Sequence, residues 1–412
     1  MAYDLNQMIL DASVEKASDL FLKAGTVPAI RQHGRVGPLP NYPDIMTEQE
    51  VRDLVYSKMS PKQTAIFEDH HEMDLAFSVG EQWRVRMNIY MQRGTCATVC
   101  RLIDTRIRDL DELGVPTKVK EFTSHRNGLV LITGPTGSGK TTTLAAMIDL
   151  INKTRKVNII TLEDPIEFVH KDQEAIVSQR EIGIDSDNFN VALRHVLRQA
   201  PDIILIGEMR DLDTMNTALQ AAETGHLVFA TVHTASAAET LDRISNMYEP
   251  HERPMLWLRL STTLRGVVSQ KLLPRLDRPG RCAAIEVMDV TPTISKMLED
   301  GKSDDIYAAI RQAGGDSYWG MKTMNQSILS YFLEGKVSEA DALANAGQLT
   351  ELRQMIRMAI AKGEMQVPQQ AAQAQQPTQQ MPPAAPQIPN MRPPSIPGVP
   401  GVPGVPPVPT RR

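Results

Sequence analysis

A chain of 412 residues exceeds the usual length of one domain, and 42% hydrophobic with 23% charged residues is enough to bury a substantial core. The net charge of −5 gives no general attraction to nucleic acid or to anionic lipid, so neither is expected as a partner. Three cysteines are too few for a disulfide scaffold and indicate a reducing compartment, and the N-terminus carries no signal-peptide pattern, so a cytoplasmic protein is expected.

Residues 1–104 predict a small α+β domain. Thr47 at an N-cap position, with Glu50 three residues later, predicts a helix that begins with a capping box. Cys96 and Cys100 lack the second pair that a zinc site needs, and they are interpreted as buried thiols. The predicted elements are a helix at 5–16, strands at 18–22 and 29–31, a helix at 47–58, and antiparallel strands at 74–79, 83–90 and 98–103.

A charged linker, 105–127, leads into a section at 128–290 where apolar runs alternate with helical patterns. Short helices are expected within the linker at 109–113 and 119–122. Apolar strands separated by helices are typical of a parallel sheet covered on both faces. No run approaches the roughly 20 residues that span a bilayer, so no direct membrane insertion is expected. The predicted elements are a strand at 129–133, a helix from Lys140, and strands at 157–162, 203–207 and 227–231.

The C-terminal third of the chain has two parts with different compositions. Beyond Pro250 the pattern is mostly helical to about Lys362, and residues 291–362 are predicted to form a helical C-terminal subdomain. Residues 363–412 are rich in Pro and Gln and almost uncharged, so they bury too little apolar surface to offset their ordering entropy. A disordered tail is predicted, and a flexible tail is favoured over a ligand for a proline-binding groove.

The strongest motif is GPTGSGKT at residues 134–141, which fits G-x-x-x-x-G-K-[ST] between an apolar strand and a helix. Its glycines allow backbone N–H groups to turn toward phosphates, and the helix N-terminus adds positive potential. Lys140 is predicted to reach the β- and γ-phosphates of ATP, and the Thr141 hydroxyl to ligate Mg²⁺. The predicted nucleotide-binding residues are Gly134, Pro135, Thr136, Gly137, Ser138, Gly139, Lys140, Thr141 and Thr142.

Acidic residues follow two of the predicted parallel strands. Glu208 ends the run DIILIGE, and its carboxylate is predicted to orient or deprotonate the attacking water. Glu163 begins the cluster EDPIE and is the candidate for a second metal or water ligand. Carboxyl ends of parallel strands meet at the ligand crevice, so both side chains are expected beside the phosphates. The predicted metal ligands are Thr141, Glu163 and Glu208.

Histidines and arginines complete the candidate residues. His233 follows the strand in GHLVFATVH and is predicted to sense the γ-phosphate, while for His226 at the other end a functional and a structural role are equally supported. Arginine suits the charge of a transferring phosphoryl group, but spacing alone favours a solvated face for the arginines of the N-terminal strands. These arginines are Arg84, Arg86, Arg93 and Arg101.

Five segments together carry a resemblance that covers residues 1–362. They are GPTGSGKTTTLAAMID, TLEDPIEFVH, VSQREIGIDSDNF, LRQAPDIILIGEMRDLDT and AAETGHLVFATVHTASAAETLDRI. The chain resembles the PilT/PilU family of type IV pilus retraction (twitching motility) ATPases, within the secretion-superfamily ATPases. The resemblance implies a PAS-like N-terminal domain, a RecA-like P-loop domain, and a homohexamer with nucleotide between the two domains. The catalytic residues it implies are Glu208, Glu163, Arg86, Arg93, Arg101, His233 and His226.

The resemblance also implies a motor that retracts pili by ATP hydrolysis, at the inner face of the cell membrane. The implied partners are an inner-membrane pilus platform protein and a second pilus ATPase ring. The chain lacks the four-cysteine zinc insert and the longer N-terminal region of extension and secretion ATPases. However, residues 291–297 lack the Ala-Ile-Arg motif of PilT and are nearer to PilU. Two alternatives stay open: an accessory PilU-like ring of low independent activity, and a pilus-extension or type II secretion ATPase.

Overall fold

The computed structural model describes residues 3–32, 34–80, 82–314 and 319–363. The N-terminal part is a six-stranded antiparallel sheet in the order β3-β2-β1-β6-β5-β4. Its elements are α1 (Leu5–Val14), β1 (Asp19–Lys23), β2 (Ala29–Gln32), β3 (Arg35–Pro38), α2 (Glu48–Tyr56), α3 (Pro61–His70), β4 (Glu72–Val79), β5 (Trp83–Gln92) and β6 (Thr95–Asp104).

The two faces of this sheet have different surroundings. Along β5, Val85, Met87 and Ile89 are buried in a hydrophobic cluster that also contains the apolar residues of α1 and α2. Successive side chains of a strand point to opposite faces, so Arg84 and Arg86 lie on the face away from that cluster. The N-terminal domain therefore presents arginines on the sheet face that its own core does not use.

The second sheet has seven strands in the order β13-β12-β7-β11-β10-β8-β9. All neighbouring strands in it are parallel except β12 and β13, which form an antiparallel hairpin. The elements are α4 (Thr117–Phe122), β7 (Gly128–Thr133), α5 (Lys140–Thr154), β8 (Asn158–Glu163), β9 (Ile176–Glu181), α6 (Phe189–Val196), β10 (Ile203–Ile206), α7 (Leu212–Glu223), β11 (Leu227–Val232), α8 (Ala237–Ser245), α9 (Arg253–Thr263), β12 (Leu264–Pro274) and β13 (Arg281–Asp289).

Hydrophobic clusters cover both faces of this sheet, as expected for parallel strands that are apolar along their whole length. A further cluster joins the β12–β13 hairpin to the last helices through Leu273, Cys282 and Ala284. The helices in this cluster are α12 (Met324–Leu333), α13 (Glu339–Ala344) and α14 (Leu349–Ala361). The helices α10 (Pro292–Glu299) and α11 (Ile306–Gln312) instead contribute to one of the clusters that cover the sheet. No helix in the described ranges is both long and apolar enough to cross a membrane.

Most of the predicted elements are confirmed, including the antiparallel N-terminal strands and the parallel core. The capping box is present: Glu50 N–H donates to Thr47 Oγ1, and the Glu50 carboxylate accepts from Thr47 N–H. Cys96 and Cys100 are free and buried, as interpreted from their spacing. The proposed boundaries at 104, 127, 290 and 362 stay predictions.

The expectation of a mostly helical pattern after Pro250 is wrong over residues 264–289, where β12 and β13 extend the central sheet. Both strands are buried on both faces, so their apolar residues have no period that separates a strand from a helix. The helix expected at 109–113 is a turn, whereas that at 119–122 is confirmed as α4. The helix α3 and the strands β3 and β9 had not been predicted. The prediction of a disordered tail concerns residues that, from 364 onward, lie outside the described part of the chain.

Candidate active site

The loop between β7 and α5 has the backbone geometry that its glycines were predicted to allow. Gly134, Gly137 and Gly139 have φ of 144°, 76° and 90°, a region that residues with a Cβ rarely adopt. A Cβ at Gly134 would lie 2.3 Å from the backbone oxygen of Gln270, and one at Gly139 would lie 2.7 Å from its Nε2. Gln270 also accepts from Thr143 Oγ1 at 2.8 Å, so β12 holds the loop against α5.

The loop encloses groups that match a polyphosphate. Lys140 is only 8% exposed, and its ammonium donates to the carbonyls of Gly134 and Pro135 at 2.8 and 3.0 Å. Burial lowers the pKa of Lys140, and the negative charge of Glu208 opposes this shift only in part. The Ser138 hydroxyl is buried and has no hydrogen-bond partner in the described ranges. A buried ammonium, an unpaired hydroxyl and a helix N-terminus are the donor set that phosphates need.

Glu208 and Glu163 lie at the same edge of the sheet, as predicted. Their strands β10 and β8 are parallel neighbours, and Gly207 N–H donates to the Leu162 carbonyl at 2.7 Å, directly beside both residues. Glu208 accepts from Arg210 at 2.7 Å and lies 3.2 Å from His233 Nε2. The hydrogen bond from Arg210 lowers the pKa of Glu208, so its carboxylate is ionised at neutral pH and can accept a proton.

Glu163 is held differently from Glu208. It is 8% exposed, and Oε1 accepts from Thr161 Oγ1 at 2.7 Å and from Gln179 Nε2 at 3.0 Å. Burial raises the pKa of Glu163, and the neighbouring carboxylates of Glu167 and Glu181 act in the same direction. A cation at this edge would offset the clustered negative charge.

The donors near the phosphate loop fit Mg²⁺ only in part. They are the Thr141 hydroxyl at the start of α5 and the carboxylates of Glu163 and Glu208. Across the described ranges no group of three or more His, Cys, Asp or Glu side chains is arranged to hold a metal ion alone. Mg²⁺ is usually held by one or two carboxylates together with substrate phosphates and water, which is the kind of site that these residues can complete.

The two histidines of the predicted pair lie at opposite ends of β11. His233 is beside Glu208 and lines the cleft above the phosphate loop. His226 is roughly 20 Å away along the strand, and its Nδ1 lies 2.9 Å from the Ala221 carbonyl. Within one chain, His226 is therefore not brought to the phosphate loop, and its catalytic role stays a prediction.

The three predicted arginines are also separated. Arg86 lines the cleft, and its Nη1 lies 3.9 Å from Glu167 Oε1. Arg101 is opposite Arg86 on β6, but its Nε donates to Asp19 at 3.0 Å. Arg93 is exposed in the turn between β5 and β6. Their roles in catalysis stay predictions, since only Arg86 of the three lines the cleft.

The cleft has a volume of about 1040 Å³ and brings residues from both domains together. It is lined by the phosphate loop, Glu163, Glu208, His233 and Arg86, which the sequence indicated. Sequence reasoning missed Gln270, whose strand was expected to be helical, and Arg210, although Arg210 follows Glu208 by two residues. It also missed Gln179, although this residue lies in VSQRE, part of one of the five segments that carry the family resemblance.

His170, which also lines the cleft, predicts how stability depends on pH. Its Nδ1 is buried without a hydrogen-bond partner in the described ranges, and burial lowers its pKa to about 4, only partly opposed by Asp149. Between pH 6.5 and about 4 the unfolded chain therefore binds a proton that the folded chain does not. The free energy of unfolding should fall by up to about 3 kcal/mol over this range. Urea unfolding at several pH values measures the slope.

The variant His170→Gln cannot take up this proton, so its stability should fall less steeply with acid. His195 is exposed on α6, and His195→Gln provides the matched control that should keep the slope of the original chain. An unchanged slope in His170→Gln would contradict the assignment.

Comparison with known proteins agrees with this geometry. The type II/IV secretion system protein family matches residues 1–373. The type IV pilus ATPase PilU of Pseudomonas aeruginosa is 38% identical over 353 residues, which cover 85% of this chain and 91% of PilU. The type IV pilus retraction ATPase PilT of the same organism is 42% identical over 343 residues, which cover 83% of this chain and 98% of PilT.

A solved structure extends the match to the fold. The crystal structure of the pilus retraction motor PilT with bound ADP aligns with a TM-score of 0.80 at 39% identity. The alignment covers 85% of this chain and 99% of that PilT chain. The chain is thus a P-loop ATP hydrolase with a PAS-like N-terminal domain and a RecA-like domain. It belongs to the type II/IV secretion system protein family, in its PilT and PilU group of pilus ATPases.

Proposed function

We propose that the chain forms a homohexameric motor that powers type IV pilus retraction by ATP hydrolysis. The observation that carries this proposal is the meeting of Lys140, Glu208 and His233 at one sheet edge, in a chain that matches 98% of the retraction ATPase PilT. An ionised carboxylate beside a phosphate loop supports hydrolysis rather than nucleotide binding alone.

The residues of the site have distinct roles in this proposal. Lys140 binds the β- and γ-phosphates, Thr141 and Glu163 help to hold Mg²⁺, and Glu208 orients or deprotonates the attacking water. Mg²⁺ neutralises charge on the phosphate oxygens when bound. His233, in contact with Glu208, senses the γ-phosphate.

The remaining predicted residues act when domains or subunits close. Arg86 reaches the cleft within one chain, so it stabilises the charge of the transferring phosphoryl group directly. We assign the other three residues to contacts that form only when the two domains close or when neighbouring subunits of the ring meet. They are Arg93, Arg101 and His226. The domain movement that accompanies hydrolysis is passed to an inner-membrane platform protein, from the cytoplasmic face of the membrane.

A deletion strain and a Lys140→Ala strain test the proposal together. A retraction motor predicts excess surface pili and lost twitching in both strains, because pili are assembled but no longer withdrawn. An extension ATPase predicts no pili in either strain. Counting pili by electron microscopy and measuring twitching zones distinguishes a retraction motor from an extension ATPase. Cells without pili would refute the retraction function.

An accessory ring is the second candidate, and one observation favours it. Helix α10 begins with Thr291 as N-cap, and its first turn contains no arginine where PilT is expected to have Ala-Ile-Arg. The accessory role predicts low turnover of the purified protein and a rise when a second pilus ATPase is added. High turnover alone, unaffected by such a partner, would exclude this alternative.

A further inference from the structure

Strand β9, at the edge of the central sheet, connects the N-terminal domain to the acidic loop that carries the candidate catalytic carboxylate. We infer that Arg84, through Glu181, and the amide of Gln179 position the loop 164–170, and thereby Glu163, for ATP hydrolysis. We call these three side chains the β9 bracket. The inference rests on the proposed ATPase function and adds three positioning residues to it.

The ion pair between Arg84 and Glu181 joins the two sheets. Arg84 Nη2 donates to Glu181 Oε2 at 2.9 Å, across 97 positions of sequence. The side chains are only 15% and 7% exposed, whereas Arg86 and Glu167 beside them are 47% and 30% exposed and 3.9 Å apart. In a buried pair, loss of one partner leaves the other charge uncompensated, so the two depend on each other.

Glu181 also contacts the acidic loop itself. The same oxygen, Oε2, accepts the backbone N–H of Ile166 at 3.2 Å. Ile166 lies three residues after Glu163, in the middle of the loop that returns from β8. One carboxylate oxygen therefore links an arginine of the N-terminal domain to the backbone of this loop.

Gln179 forms hydrogen bonds both to the end of the loop, at residues 168–170, and to the carboxylate of Glu163. It lies two residues before Glu181, so both side chains lie on the same face of β9. Its Oε1 accepts from His170 N–H at 2.8 Å, and its Nε2 donates to the Phe168 carbonyl at 2.8 Å. The same Nε2 donates to Glu163 Oε1 at 3.0 Å. A single amide thus fixes both the loop backbone and Glu163.

The strand register explains why these contacts coincide. Strand β9 runs parallel to β8, with Gln179 opposite Thr161 and Glu181 opposite Glu163. A shift of Arg84 with the N-terminal domain moves Glu181, and hence the loop that Gln179 ties to Glu163. None of the β9 bracket residues lines the cleft, so they act through Glu163 rather than on the nucleotide.

A double-mutant cycle on the full chain tests the connection. Arg84→Gln and Glu181→Gln should each lower kcat about tenfold while KM for ATP stays within about twofold, because Glu163 is misplaced but the phosphate loop is intact. The double variant should be no slower than the slower single variant, since both disturb one contact. Multiplied losses in the double variant, or an unchanged kcat in either single variant, would overturn the inference.

The exposed pair of Arg52 and Glu68, 3.6 Å apart on the N-terminal domain, supplies the matched control. Arg52→Gln and Glu68→Gln should leave kcat and KM unchanged. Binding of a fluorescent ATP analogue and the urea unfolding midpoint are measured on every variant. A variant that loses kcat together with nucleotide affinity and folding would show a merely structural pair and would refute the positioning role.

Gln179 is tested by a separate pair of variants. Gln179→Met keeps the length of the side chain but removes both amide groups, so kcat should fall about tenfold at a similar KM. Gln179→Glu retains an acceptor for His170 N–H but places a charge against Glu163, and it should be at least as slow. Retained kcat in Gln179→Met would refute the role of this amide. An original chain without ATPase activity would instead refute the proposed function, so the two failures are distinguishable.

Discussion

The variant Glu208→Gln should hydrolyse ATP roughly a thousandfold more slowly than the original chain, with nucleotide affinity almost unchanged. Glutamine has the shape of glutamate and still accepts from Arg210, but it cannot take a proton from water. The hydrogen bond from Arg210 lowers the pKa of Glu208, so the original side chain is ionised at neutral pH. Phosphate release by the purified full chain measures the rate.

Glu223→Gln is the matched control for this change. Glu223 is also paired with an arginine, Arg259, but at the end of α7 and outside the cleft. Its replacement should leave the rate within about twofold. Hydrolysis at the original rate in Glu208→Gln would remove Glu208 from the mechanism and leave the ionised carboxylate without a catalytic role.

Lys140→Ala should weaken ATP binding by about a hundredfold or more and abolish hydrolysis, because Lys140 is the buried cation of the phosphate loop. The variant should still fold. Burial lowers the pKa of Lys140, so enclosing the charged ammonium destabilises the folded chain, and alanine removes this destabilisation. Titration with a fluorescent ATP analogue measures the affinity. Urea unfolding of the same samples should give a midpoint equal to or above that of the original chain.

Lys153→Ala on the same helix separates the loop charge from helix effects. Lys153 is 52% exposed and pairs with Asp149 at 2.6 Å, away from the loop carbonyls. Its loss should leave ATP affinity within about twofold. Unchanged affinity in Lys140→Ala would contradict the assignment of the phosphate site, and lost affinity in Lys153→Ala would assign the effect to helix α5 as a whole.

The phosphate loop could be predicted in detail because its geometry is local. Glycines at 134, 137 and 139 are required by positive φ values, and the helix begins at Lys140 as expected. The placement of Glu163 and Glu208 could also be predicted from the sequence, since parallel strands end at one edge of a sheet. The hydrogen-bond partners of these carboxylates could not be predicted in the same way. Gln179, for example, lies on β9, a strand that the sequence pattern had not indicated.

The hairpin of β12 and β13 shows where pattern reasoning failed. Its residues are buried on both faces, so hydrophobicity alone did not distinguish strand from helix. As a result Gln270 was missed, although it sits against Gly134 and Gly139 and accepts from Thr143. That contact joins residues 127 positions apart, and no local signal predicts it.

The sequence by itself determined the phosphate loop, four of the parallel core strands and the positions of Glu163 and Glu208 at the ends of two of them, since each depends on neighbours in the chain. Only the tertiary structure decided which arginines are placed to act within one chain. Arg86 lines the cleft, Arg101 donates a hydrogen bond to Asp19, and Arg84 forms an ion pair with Glu181 on the other sheet. Alternation along β5 and β6 puts these side chains on the face away from the core, but their partners depend on how two separate sheets pack.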